Sequence, residues 1–590
     1  MAKESYKISD IYQGGYSSFK DSYGDLSTGY RIGSGNLGAP TKPDTANQIQ
    51  QVNQLLNQGI VPIEVGALSP EVFDQIPKQH FKEINRIAKL TGAKISVHAP
   101  LVEPSGFAQE GWSEENRELA ERQLKDVVER SHDLDSKGGM PITIHSAGIP
   151  GTEYGMVKEE GKMVKKLQKL IVVNQETGKL APLEREEKFY PGLKELKHIQ
   201  EPKEVLESLN ATEWDNSLSQ VTYYKEGADR IIKENADLIN PIVEDFKNKK
   251  ITEETLRKFP IQQEAMGHIE NADTYLRNAS QYLNGLFNKA YKYGTEEDKE
   301  KLKIISEHYK EDLGGNPFDI QRKSIAMQNL ISGLKQISPE LYVPVEDFAI
   351  RKASETFSNV AFEAYKKYKN EAPTISIENL YPGMAFSYGE DMKNLIKESR
   401  DKFVDKAVKE GFGRGEAEEQ AKKMIGMTLD VGHLNIAKKR GFKDEDLKKE
   451  VEEIAKYVKH VHLTDNFGYS DSHLPPGMGN VPFKKIFEVL DEKGFKGRTI
   501  VEAGGFVQHF QASPFPYVLE AFSSPIYAMK NAPYWNQSQG LQQGYFSGYG
   551  NMLPQGNYET FGAGFSQLPM ELGGQKPGAE GSRMSGRGME

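Results

Sequence analysis

The chain has 590 residues, a formal net charge of −10 and a mean hydropathy of −0.63. That length exceeds one ordinary core, and the negative balance argues against broad electrostatic attraction to nucleic acid or anionic membrane. The absence of cysteine excludes disulfides and thiolate ligands, so any metal is held by nitrogen and oxygen.

Residues 1–28 are rich in Ser, Tyr, Gly and Asp without a clear period and read as a loose arm. The opening MAKESYKISD lacks the apolar run of a signal peptide, and no stretch is apolar enough to span a bilayer. The expectation is a cytoplasmic protein with no membrane partner. From Tyr30 onward, short β-branched runs alternate with helical patterns. Strands are expected near 30–36, 61–66, 94–99, 141–146, 374–379, 426–431, 458–464 and 498–503. Helical patterns separate most of them, over 44–58, 71–90, 114–135, 444–457 and 482–492. Eight strands in this alternation predict an α/β fold, a (β/α)8 barrel in two parts, 29–150 and 346–531.

Residues 146–373 fill a connection where a barrel usually spends one helix. Its first part reads as a β-hairpin about Glu176-Thr177-Gly178-Lys179, and 203–370 shows amphipathic helical repeats without a clean sequence period. The last of these, 345–369, can serve as the barrel's own fourth helix. A mainly helical insertion, 151–345, then leaves after the fourth strand on the catalytic face. It is either a lid or substrate-selecting wall, or a stability or oligomerisation module. The stretch 532–590 is rich in Gly, Gln, Tyr and Met and is expected to be a disordered tail.

Nine residues of metal-ligand type sit at strand ends or in the loops just after them. They are His98 (KISVHAP), His145 (PITIHSAG), Glu378 (TISIENL), Asp430 and His433 (MTLDVGH), His462 (HVHLTD), Asp471 and His473 (DSH), and Glu502 (TIVEAGG). Five of the chain's 12 histidines fall on this set. The C-terminal mouth of a parallel barrel would collect all nine, and such a cluster is costly unless a cation compensates it. His460 shares the inward orientation of His462 one layer deeper and reads as core filling. Asp465 reads as a partner orienting an imidazole. In extended chain Asp471 and His473 point to one side. Lys165-Lys166-Leu167-Gln168-Lys169 reads as a solvated basic face, and Leu101 as rim packing.

HAP, IENL, LDVGH, HLTD, D-x-H followed by PPGMGNVPF, and strand-end VEAGG together resemble the endonuclease IV / xylose isomerase-like TIM-barrel superfamily (AP endonuclease family 2). The resemblance covers about 30–150 and 372–530. Endonuclease IV binds three zinc ions. Carried over, its pattern gives His98, His145 and Glu378 to the first, Glu378 (bridging), Asp430, His462 and Glu502 to the second, and His433, Asp471 and His473 to the third. The resemblance implies a zinc-dependent hydrolase of phosphate esters, with abasic duplex DNA as one candidate substrate and Glu378 and Glu502 as catalytic carboxylates. The isomerase and epimerase branches imply a different outcome. There one Mn2+, Mg2+ or Co2+ held by Glu378, Asp430, His462 and Glu502 serves a sugar or sugar phosphate. Those branches commonly carry an Arg just before the last His, where this chain has Ser472. The residues after His98 (Ala99-Pro100-Leu101-Val102-Glu103) carry no aromatic wedge and weaken the DNA assignment. A noncatalytic scaffold is the third reading, and the oligomeric state is left open.

Overall fold

The computed structural model describes residues 27–524 apart from 136, 190–196, 249, 251–259 and 315–318. The expected tail, and all but the last two residues of the expected arm, lie outside the described residues. The described residues within 1–171 and 344–590 form one compact unit and those within 172–343 another, and each is described by itself.

The first unit is a closed barrel of eight parallel strands. They are β1 (Leu37–Pro40), β2 (Pro62–Gly66), β3 (Lys94–His98), β4 (Pro141–His145), β5 (Thr374–Glu378), β6 (Ile425–Asp430), β7 (Val458–Leu463) and β8 (Arg498–Val501). Each pairs with its sequence neighbour, and β1 closes on β8. Registry sets the site: His145 lies opposite Glu378, and Asp430 opposite His462. Side chains two residues apart share a face. The inward-facing residues therefore form layers, one containing His98, His145, Glu378, Asp430 and His462. The layer beneath it contains Ser96, Thr143, Ser376, Thr428 and His460. Barrel interiors are dominated by branched aliphatics, but this inner layer is polar. The Thr428 hydroxyl donates to Ser376 Oγ at 2.8 Å, and the Thr143 and Thr428 hydroxyls meet at 2.9 Å.

Seven strands stand within a residue or two of expectation. The first does not: Ser34–Asn36 is a 3-10 turn, and the strand begins at Leu37. Gly33-Ser34-Gly35-Asn36 is turn-forming chemistry, and Gly38 is the residue the sheet needs. A Cβ there would lie 2.5 Å from the Pro62 carbonyl oxygen and 2.6 Å from Ile500 Cδ1. The helix expected over 71–90 is two helices, Pro70–Gln75 and Lys78–Thr91, because Pro77 has no N–H to continue the first. Helix Val345–Tyr368 packs between Glu114–Ser131 and Gly389–Lys409, the place of a fourth barrel helix.

A hairpin that the sequence did not signal follows β4: Glu153–Glu159 pairs with Lys162–Asn174 in antiparallel register. Its two turn residues, Glu160 and Gly161, both have positive φ (49° and 85°), as a tight hairpin turn requires. Lys165 is partly exposed but not a free cation. Its Nζ meets Glu450 at 2.6 Å and sits over the rings of Tyr154, Tyr388 and Phe442 at 4.9, 4.5 and 5.8 Å.

The second unit is mainly helical. Helices Pro202–Glu234, Ala236–Lys247, Pro260–Tyr293, Glu296–Leu313 and Ile320–Leu334 surround their own core, which includes Trp214, Leu276, Leu283 and Ile331. The Trp214 indole N–H donates to the Leu334 carbonyl at 2.9 Å, so its one polar atom is satisfied. The Glu176-Thr177-Gly178-Lys179 turn stands as expected, with Asn174 N–H donating to the Lys179 carbonyl. Among the described residues, no helix is long and apolar enough to cross a membrane.

Candidate metal centre

All nine strand-end residues meet at the C-terminal mouth. His98 Nε2 and His145 Nε2 lie 3.4 and 3.2 Å from Glu378 Oε2. His462 Nδ1 lies 2.7 Å from Glu378 Oε1 and 3.3 Å from Glu502 Oε1. His433 Nε2 and His473 Nε2 approach Asp471 Oδ2 at 3.2 and 2.8 Å. Donor atoms come within 4.8 Å of one another in several triads: His98, His145 and Glu378; His98, His462 and Glu502; Glu378, Asp430 and His433; His433, Asp471 and His473.

Local structure explains the spacing. Asp430 caps the short helix Val431–Asn435: its Oδ1 accepts from the His433 N–H at 2.8 Å and from the Thr464 hydroxyl at 2.7 Å. A Cβ on Gly432 would fall 1.9 Å from that hydroxyl, so the D-V-G-H order lets strand β7 close against the turn. The capping geometry also brings His433 back toward the mouth. Its Nδ1–H donates to the Asn379 carbonyl at 2.9 Å, and His98 Nδ1–H donates to the Ala99 carbonyl at 2.9 Å. Both rings therefore present Nε2 to the cavity. Asp471 and His473 do not meet through extended backbone: His473 has φ 45°, an uncommon value for a residue with a Cβ.

Asp465 orients no imidazole. It accepts backbone N–H groups from Asn466, Gly477, Gly479 and Val481, fixing the glycine turn after the last ligands. Burial raises its carboxyl to about 6 against those hydrogen bonds. His460 is fully buried, as expected, but it is not inert filling: its Nε2 is 2.9 Å from Glu64 Oε2. The sequence reading missed Glu64, which is also fully buried. Glu103, the carboxylate of the run after His98, lines the cavity and accepts from the backbone N–H groups of Ser105 and Gly148, tying the β3 loop to the β4 loop. Leu101 stands half exposed at the cavity rim.

The donor set fits cations. Glu378 Oε2, Asp430 Oδ2 and Asp471 Oδ1 are buried without a hydrogen-bond partner, a costly state for carboxylate oxygens. Burial alone would raise Glu378, but His462, His145 and His98 overcome it and hold the carboxyl well below the usual range. Burial likewise opposes charge on His462 and His433, yet the facing carboxylates hold both well above an ordinary imidazole. Glu502 is raised, chiefly by burial. The mouth is thus an array of carboxylates compensated by imidazolium protons, and cations would compete with those protons. A cavity of about 680 Å3 opens over the array, lined by His98, His145, Glu378, His433, His473 and Glu502 among others. No Lys or Arg is among its lining residues, and its walls include Leu68, Leu101, Val102, Leu380 and Met384.

The resemblance read from the motifs has a counterpart over one segment of the barrel. The family model described as xylose isomerase-like TIM barrel matches residues 417–512, the segment that carries Asp430, His433, His462, Asp471, His473 and Glu502. The uncharacterized protein MJ1311 of Methanocaldococcus jannaschii is 40% identical over 80 residues, 14% of this chain and 26% of that one. The match therefore spans about a quarter of that relative's length. Among solved structures, a D-tagatose 3-epimerase-like protein aligns at 13% identity and TM-score 0.35, covering 82% of this chain and 98% of its own. D-psicose 3-epimerase from Clostridium cellulolyticum H10, solved with D-tagatose, aligns at 8% identity and TM-score 0.36, covering 83% and 96%.

Proposed function

We propose that the chain is a metal-dependent hydrolase of phosphate esters. The observation that supports this reading is the convergence of His433, Asp471 and His473 on a donor set separate from the His98–His145–Glu378 triad. In the carried-over pattern Glu378, Asp430, His462 and Glu502 suffice for a one-metal isomerase, which leaves the other two donor sets without a task. In this proposal His98, His145 and Glu378 hold one cation, Glu378, Asp430, His462 and Glu502 a second, and His433, Asp471 and His473 a third. Nitrogen and oxygen donors rich in imidazole suit zinc. Bound cations would polarise phosphoryl oxygens and make water nucleophilic near neutral pH.

The chain's own residues divide the remaining work. Glu378, held anionic by three imidazoles, orients the attacking water. Glu502 faces the same volume from β8 as the second catalytic carboxylate. Thr464 and the His433 N–H hold Asp430 through Oδ1, which leaves Oδ2 for the centre. Leu68, Leu101 and Leu380 limit water around the reacting group. With no Lys or Arg lining the cavity, the charge of a phosphoryl group is met by imidazoles and cations.

A sugar isomerase or epimerase with one divalent ion is the second reading. The pairing of Glu378 and Glu502 about His462 Nδ1 and the small, apolar-walled cavity favour it. Elemental analysis of protein purified without chelator, together with His473→Ala, separates the two. Phosphate-ester hydrolysis expects about three zinc ions per chain, about two in His473→Ala, and a more than ~100-fold loss of turnover on p-nitrophenyl phosphate or abasic duplex. About one manganese or cobalt ion per chain, with ketose epimerisation insensitive to His473→Ala, would replace it by the second reading. A preparation with no metal would favour a scaffold.

A further inference from the structure

Four of the five candidate histidine ligands present Nε2 to the centre, whereas His462 presents Nδ1. An imidazole ligates through one nitrogen only when the proton sits on the other, and the partner of that other nitrogen selects the tautomer. His98 and His433 meet this condition with backbone carbonyls. No carbonyl serves the far side of His462. What lies there is Glu64, with Oε1 3.0 Å from His462 Nε2. Neither atom has any other partner, so two otherwise unengaged buried atoms face each other. The other oxygen of Glu64 is held at 2.9 Å by His460 Nε2. Glu64, His460 and His462 are all fully shielded from solvent.

We propose that Glu64 is a positioning residue of the metal centre: anchored by His460, it keeps the His462 proton on Nε2 and so leaves the Nδ1 lone pair for the cation shared with Glu378 and Glu502. The inference rests on the metal reading above, but not on which reaction the centre performs. Strand geometry makes the device available. Glu64 lies on β2 two residues before Gly66, and His460 lies on β7 two residues before His462, so a carboxylate and an imidazole support the ligand layer from below. A cation displaces the Nδ1 proton, and Glu64 retains the one on Nε2.

The test compares Glu64→Leu, which removes the acceptor, with Glu64→Gln, which keeps an oxygen able to accept from His462. Imidazole 15N shifts report the His462 tautomer in zinc-loaded protein and, in chelator-treated protein, above the pH at which the imidazolium loses its second proton; chelator competition reports zinc affinity. Glu64→Leu is expected to move the His462 proton toward Nδ1 and weaken one zinc site by roughly 10–100-fold. Glu64→Gln should restore both. Unchanged tautomer and affinity in Glu64→Leu would overturn the proposal. So would loss of a further cation with the His462 tautomer unmoved, since Glu64 would then itself be a ligand. Should the leucine variant not fold, Glu64→Asp, which withdraws both oxygens, is read in the same way. A wild-type protein that binds no zinc sinks the metal reading instead, and metal-free spectra taken above the pH at which the His462 imidazolium loses its second proton still decide whether Glu64 sets its tautomer.

Discussion

At the barrel mouth, Glu378, Asp430 and Asp471 each keep a buried oxygen without a hydrogen-bond partner. Beside the 153–169 hairpin, Glu346 and Glu450 have every oxygen engaged: Glu346 accepts from the Thr152 N–H and hydroxyl, and Glu450 from Lys165 and the Gly389 N–H. Both regions gather carboxylates out of water, which costs free energy unless something compensates. The hairpin seat is compensated from within the chain, by Lys165 in its aromatic box. The mouth has imidazoles and no Lys or Arg among the cavity-lining residues. Two acidic clusters of similar burial thus differ in whether the fold completes them, and it is the incomplete one that has the donor chemistry of a cation site.

Glu378→Gln tests that distinction most severely. The substitution preserves shape but removes the negative charge that three imidazoles face. The expected result is loss of bound metal and a fall in turnover above the roughly 10–100-fold that loss of an outer partner causes. Circular dichroism should stay near wild type, because a neutral amide in this position relieves burial cost. Full metal content in Glu378→Gln would remove Glu378 from the bridging role.

The opposite experiment acts on the completed cluster. Lys165→Ala leaves Glu450 and its acidic neighbours without their cation, and breaking a fully buried pair costs about 3–5 kcal/mol. The Lys165 side chain is 34% exposed, so screening reduces the expectation to about 2 kcal/mol in barrel stability. Denaturant titration measures the loss, and elemental analysis should find the metal content unchanged. A drop in metal content would show that the two clusters are coupled, contrary to the comparison.

These differences also mark where the sequence is legible. His98, His145, Glu378, Asp430, His462 and Glu502 each terminate or directly follow an apolar or β-branched strand, so periodicity locates them without knowledge of the fold. The inner polar layer was readable by the same rule, since Ser96, Thr143, Ser376, Thr428 and His460 each lie two residues before a ligand. Glu64 escaped because the position two residues on is Gly66, and a strand without a terminal ligand draws no attention. β1 was misplaced because Leu37-Gly38-Ala39-Pro40 contains no β-branched residue and is shaped by close packing against β2 and β8. The Glu153–Glu159 hairpin was invisible because its partner strand opens with exposed, lysine-rich sequence, and what holds it, Lys165 among three rings, comes from residues distant in the chain. Asp465 was misassigned because adjacency to His462 in sequence does not give a shared face: Thr464, two residues past His462, reaches Asp430, while Asp465 turns to the glycine loop.

The completed cluster is also expected to show a pH dependence. Asp391 stands near Glu346 and Glu450, and burial first, then repulsion from Glu346, raise its carboxyl from 3.8 to about 8, with Lys165 opposing. The fold therefore favours the protonated acid. A group raised in this sense contributes stability that is complete below pH ~4 and is lost progressively as pH rises toward 8. Asp391→Asn carries no such proton, so its stability should be flatter than wild type between those limits and should exceed it most at the alkaline end. In the Lys165→Ala background the decline should continue to still higher pH, because the opposing cation is gone and the folded-state carboxyl is raised further. Thermal unfolding of both variants at pH 5, 6.5 and 8 measures this, and parallel curves for wild type and Asp391→Asn would mean that Asp391 is ionised in the fold, with Lys165 compensating both it and Glu450.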